Sequence, residues 1–134
     1  YQAWAGKFIV NSVLPYDWLN TPDDNLWQGV DGVNNPCPTG FRLPTESEWE
    51  AEIAKWEESG NKNSTGAYNS PLKLPVSGSR TAFFGAPFLV GSVGAYWSST
   101  VTGPVSRSMN FGRFDADIGG NGRAVGSAVR CLKE

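Results

Sequence analysis

Histidine is absent from the chain, and that narrows the chemistry its other side chains can do. Serine–histidine and cysteine–histidine pairs are excluded within it, and zinc sites lose their commonest ligand. Two thiols remain, Cys37 and Cys131, far apart in sequence and in no CxxC arrangement. They read as a structural disulfide, which belongs to an oxidising exterior, or as two buried free thiols acting as small apolar residues. Asp23, Asp24 and Asn25 carry oxygens suited to a hard cation. The run Pro22-Asp23-Asp24-Asn25 is more simply a turn whose side chains fold back onto the backbone, so no metal site is expected. Between Arg107 and Ile118, Met109 and Phe111 alternate with Ser108, Asn110 and Gly112. That spacing predicts a strand with one buried apolar face and one exposed face. The exposed face is small, polar and glycine-rich, and its chemistry is that of a display surface rather than a catalytic pocket.

The elements that must position these residues follow from composition and pattern. A chain of 134 residues with 40% hydrophobic content predicts one domain, residues 1–134, burying one core. Its 11 basic and 13 acidic residues are spread without a basic stripe, which argues against a nucleic-acid partner. Apolar runs such as Ala86 to Val90 are too short for membrane insertion. No signal peptide or lipidation signal is visible, and a start at Tyr1 predicts a domain cut from something longer. Six Trp, seven Phe and four Tyr supply buried area, while 16 Gly and 9 Pro interrupt the chain. This mixture predicts an α+β domain of short strands joined by long ordered loops.

One helix is expected over residues 45–58, with a second over the following loop less strongly marked. Thr45 and Glu48 form a capping box, Glu46 and Glu48 sit at the positive end of the helix dipole, and Trp49, Ile53 and Trp56 share a face. Gly60-Asn61 stops it. Residues 3–13 are strand-like, residues 15–25 a loop, and Leu72 to Val76 an extended segment. Residues 78–92 are irregular with an apolar patch of Phe83, Phe84, Phe88 and Leu89, and Gly119 to Gly122 reads as a turn.

Three motifs carry a family resemblance: Asn35-Pro36-Cys37-Pro38-Thr39-Gly40-Phe41-Arg42-Leu43-Pro44-Thr45-Glu46-Ser47-Glu48, Tyr96 to Thr100, and Ser127-Ala128-Val129-Arg130-Cys131. With Leu26 to Val30 and Ser70 to Val76, they make nearly the whole chain resemble C-type-lectin-fold domains of the formylglycine-generating-enzyme-like branch. Among these the chain most resembles the variable proteins of diversity-generating retroelements, and it is also similar to the Fibrobacter succinogenes major paralogous domains. The resemblance implies small twisted antiparallel sheets with one or two helices.

Such proteins vary a C-terminal segment by adenine-directed copying on a fixed scaffold. Carried onto this sequence, the resemblance implies a variable region of about residues 95–127. Its ligand-contacting positions are Ala95, Val105, Ser108, Asn110, Gly112, Arg113, Phe114, Asp117, Gly119, Gly120, Asn121, Gly122, Val125 and Ser127. The implied framework includes Arg107, Met109, Phe111, Ala116, Ile118, Arg123, Ala124, Gly126, Val129 and Cys131, with Cys131 in a slot that suits a disulfide with Cys37. Arg113 and Phe114 are the expected anchors, because arginine and aromatic side chains dominate interface energetics. The implied role is recognition of a protein or glycan on a target surface. The domain would be extracellular, at a cell surface or virion tail, oligomeric in a longer parent, with no cofactor and no catalysis.

Three rival functions are weaker. Formylglycine-generating enzymes use a pair of active-site cysteines near the C-terminal core, where this chain has Cys131 alone. Calcium-dependent lectins present Glu-Pro-Asn or Gln-Pro-Asp followed by Trp-Asn-Asp, none of which occurs here. A structural or adhesin module without diversification is the main alternative.

Overall fold

The computed structural model describes residues 7–134. The expected strand over residues 3–13 lies partly outside the described residues, and its described part forms no strand. A strand-like pattern does not make a strand without a partner. Asn11 N–H donates to Ala82 O (2.9 Å), a local link rather than a ladder.

The described residues fold as a small α+β unit of two helices and three small antiparallel sheets. Strand β1 (Phe41–Arg42) pairs with β7 (Leu132–Lys133), bringing the last residues of the chain back against the segment that leads into the first helix. Helix α1 (Glu46–Glu58) and helix α2 (Ser64–Asn69) follow β1, then β2 (Ser79–Arg80) pairs with β3 (Pro87–Phe88). The main sheet has the order β4 (Gly94–Thr102), β5 (Val105–Phe111), β6 (Ala116–Gly122). Cys37 and Cys131 are joined as a disulfide, with Cα atoms 5.8 Å apart, beside the β1–β7 pair.

Helix α1 starts where its capping box requires. Glu48 N–H donates to Thr45 Oγ1 (3.3 Å), and Thr45 N–H donates back to Glu48 Oε2 (2.8 Å). At the other end Ser59 caps the helix and Gly60 turns the chain at φ +74°, a conformation glycine adopts without strain. Its buried face, Trp49, Ile53 and Trp56, packs with Ala67, Leu74, Tyr96, Met109, Phe111 and Ala116. Trp56 meets Phe111 edge-on at 5.6 Å, and Tyr96 stacks on Phe111 at 5.8 Å.

Helix α2 is capped by Asn63, whose side chain accepts from Thr65 N–H and Gly66 N–H. Gly66 packs so tightly against the end of α1 that a Cβ there would sit 2.8 Å from Trp56 Cβ and 2.0 Å from Asn61 O just beyond the helix. The extended segment expected at Leu72 to Val76 forms no strand, although Tyr96 OH donates to Pro75 O (2.9 Å) and fixes it. The turn expected at Gly119 to Gly122 is instead the second half of β6, paired residue by residue with Val105 to Ser108. Glycine's weak strand preference yields there to a continuous ladder. Val129, expected in the scaffold, is 39% exposed.

Glu48 also clamps Arg42, accepting from Nη1 and Nη2 at 2.8 Å each, while Arg42 Nε donates to Glu134. The hydrogen-bonded Arg42 guanidinium holds the Glu48 carboxyl down at about 2, and the same contacts raise Arg42 above its usual value. Because the folded pKa is depressed, this contribution to stability is complete above the unfolded value of 4.5 and is lost as pH falls toward 2. Glu48→Gln is therefore expected to flatten the fall in stability across that window while leaving the slope near neutral pH unchanged. Urea midpoints measured against pH for both proteins check this. Parallel curves would show that Glu48 does not report the acid transition.

Candidate recognition surface

Strand pairing sorts the predicted positions onto two faces of the main sheet. Tyr96, Met109, Phe111, Ala116 and Ile118 point to α1, and Arg107 on that face donates from Nε and Nη2 to Glu46 Oε1 (2.9 and 2.8 Å). The Glu46 carboxylate raises the Arg107 pKa. Alternation places Ala95, Ser108, Asn110, Asp117, Gly119 and Asn121 on the opposite face. Val105, Gly120 and Gly122 share the parity of Arg107, so the predicted set does not lie on one face.

The opposite face is not an open display surface. Ser108 is 0% exposed and Ala95 is buried, which corrects their expected exposure. Ser108 lies between Trp97 on β4 and Gly119 on β6. Its Oγ accepts from Asn110 Nδ2 (3.3 Å) and Asn121 Nδ2 (2.9 Å), so two predicted contact residues are fastened over it. Alternation tells which side a residue faces; it cannot tell that loops cover that side.

Those loops form a recess of about 210 Å³. The sheet contributes Ala95, Asn110 and Asn121, and the segment after β6 contributes Val125 and Ser127. Gly126 exchanges backbone hydrogen bonds with Arg80 (2.7 and 2.9 Å), and Ala128 bonds Ala95 and Trp97, threading residues 124–128 between β2 and β4. Ser127 Oγ is buried there with no hydrogen-bond partner. The other wall, which includes Phe88, Leu89 and Val93, comes from residues 78–93; the stretch 78–92, expected to be irregular, carries the β2–β3 pair. Its apolar patch was the sequence signal for these residues, whose part in the recess was missed.

The remaining predicted positions lie elsewhere. Gly112, Arg113 and Phe114 sit at the β5–β6 turn, where Phe114 is 84% exposed and the Arg113 guanidinium lies 5.4 Å from its ring centroid. Neither lines the recess. Asp117, exposed on β6, faces Asn110 across the ladder.

The glycines also differ in how freely they can change. A Cβ on Gly112 meets nothing closer than 3.9 Å. On Gly122 it meets Tyr16 Cβ at 2.7 Å and Pro15 O at 3.2 Å, on Gly119 Asn110 Nδ2 at 3.0 Å, and on Gly120 Val105 Cγ2 at 3.0 Å. Gly112→Ser is expected to change stability by no more than about 0.5 kcal/mol. Gly122→Ser is expected to lose about 1–3 kcal/mol, because the segment carrying Tyr16 must shift. Paired urea denaturations compare them, and equal midpoints would refute the close packing at Gly122.

Asp23 Oδ1 accepts from Asn25 N–H (2.9 Å), the expected fold-back turn. Among the described residues no group of three or more Cys, Asp or Glu is placed to hold a metal ion, and no helix is long and apolar enough to cross a membrane. No protein-family model, curated protein or solved structure matches the chain.

Proposed function

We propose that this chain is a ligand-recognition domain of the C-type-lectin-like class, displayed outside the cell or on a virion tail, with a diversified surface centred on the recess. One observation carries the reading. Ala95, Asn110, Asn121, Val125 and Ser127, taken from separate strands and a loop by a resemblance in sequence alone, converge on one concavity. Buried Ser108 holds the two asparagine amides, and the α1-facing side of the sheet holds the core. Side chains around the recess can therefore change while the core contacts stay, as loops do on a fixed scaffold. Arg113 and Phe114 form a separate exposed rim at the β5–β6 turn. The disulfide is compatible with an extracellular location.

A display library randomised at Asn110, Asp117, Asn121, Val125 and Ser127, panned against an unrelated protein such as lysozyme, tests the reading. Folded, disulfide-bonded binders are expected, with Gly122 and Ser108 kept fixed. A library whose members mostly fail to fold, or that folds and yields no binder, would count against recognition at this surface. DNA flanking the gene should hold a reverse transcriptase and a near-identical template repeat. A gene without them is the undiversified adhesin module.

A further inference from the structure

Three of the six tryptophans, Trp18, Trp27 and Trp97, line a second crevice of about 90 Å³ where the 17–28 loop lies against β4. It shares no lining residue with the recess. Gln28 Nε2 donates to Ser99 O (2.5 Å) and fastens the loop there. Trp18 is 44% exposed, so one indole stands accessible in the crevice wall.

Asp17 and Arg123, both lining this crevice, are incompletely satisfied. Asp17 is 5% exposed; its Oδ1 accepts from Leu19 N–H (2.9 Å), but its Oδ2 has no hydrogen-bond partner. Arg123 Nη1 comes within 3.4 Å of that oxygen but donates to Asp23 O (3.2 Å), and Nη2 donates to Gly103 O (3.2 Å) and Asp24 Oδ1. Arg123 Nε is buried without an acceptor. Asp17 and Arg123 are thus paired in charge, yet each keeps one buried polar atom without a hydrogen bond, a rare and costly arrangement.

We propose that this crevice binds a pyranose unit of a saccharide without calcium, a site separate from the recess and independent of the reading given to it. Asp17 and Arg123 oppose each other in charge, so together they favour a neutral ligand over an ion. A hydroxyl both donates and accepts, so it matches in kind the acceptor Asp17 Oδ2 and the donor Arg123 Nε. The indoles supply flat apolar surfaces beside that polar pair. A ring with hydroxyls on its edge and C–H groups on its faces matches both features. Asp23 and Asp24 add negative charge at the crevice, which makes an organic cation the competing ligand.

The test is titration with methyl glycosides of glucose, mannose, galactose and N-acetylglucosamine, in the presence of EDTA. Tryptophan fluorescence and indole N–H resonances are the readouts, with tetramethylammonium chloride as the cation probe. At least one glycoside is expected to shift the Trp18 or Trp27 resonance saturably. Trp18→Ala is expected to weaken that binding by about tenfold or more. This residue is exposed enough to be replaced without unfolding the domain, so the test stands even where Asp17→Asn fails to fold. Glu58→Ala, on the far surface of α1, should bind like the parent. Silence of every glycoside at millimolar concentration would mean that water alone meets the Asp17–Arg123 pair, and would overturn the proposal. So would a response to tetramethylammonium alone, or binding lost in Asn110→Ala and kept in Trp18→Ala.

Discussion

Replacing Cys37 and Cys131 together by serine is expected to cost about 4–5 kcal/mol of stability and to lower the melting temperature by about 15 °C. The bond spans 94 positions, and the enclosed loop contains both helices and the whole main sheet. In the chain-entropy account, a loop of that length removes nearly as much freedom from the unfolded chain as one cross-link can. A domain of this size has about 5–15 kcal/mol in hand, so the loss is a large share of it. Thermal and urea unfolding of the double variant, compared with the oxidised parent, reads the effect. A loss below about 1 kcal/mol would mean that the β1–β7 pair and the Arg42–Glu134 contact hold the ends together without the cross-link. Thiol titration of the unfolded parent should find none free among the described residues.

Trp49→Ala is expected to cost about 3–5 kcal/mol from lost burial and the cavity left behind. Trp49 is buried at the centre of the α1 face, meets Tyr96 edge-on at 6.2 Å, and donates from Nε1 to Trp97 O at 3.2 Å. Losing that donor also leaves a buried carbonyl short of a partner, which adds about 1–3 kcal/mol unless water enters. Trp49→Phe separates the two contributions, since it keeps most of the apolar bulk and drops the N–H. The ordering expected in urea midpoints is parent, then Phe, then Ala, with an unchanged slope. A Phe variant as stable as the parent would show that the Trp97 carbonyl needs no indole. Because Trp97 lines the second crevice, the Phe variant also tests whether α1 helps to position that site.

The pattern of success in the sequence has a physical basis. Helix α1 was legible because its determinants are local: the Thr45–Glu48 cap and the spacing of Trp49, Ile53 and Trp56 act within four residues. The inward side of β5 was legible for the same reason, since Met109 and Phe111 are apolar at period two. Residues 7–13 carry a strand-like run, Phe8-Ile9-Val10, and form no strand, because a ladder requires a partner that local pattern cannot supply. Gly119 to Gly122 failed in the opposite sense, where pairing with β5 made a strand from residues that favour turns.

The candidate surface divides along the same line. The sequence by itself determined the α+β class, the capped helix, the core side of the main sheet and two cysteines able to pair. Their causes are short-range spacing and side-chain type. Only the tertiary structure decided that Cys37 and Cys131 meet, that Ser108 is buried, and that Asn110, Asn121, Val125 and Ser127 share a recess. It also decided that Asp17 is set beside Arg123, and that Gly122 has no room for a side chain. Each of these depends on segments distant in sequence packing over one another. Burial is a property of what covers a residue, and the covering segments, residues 78–93 and 122–128, carry no periodic signal of where they will lie.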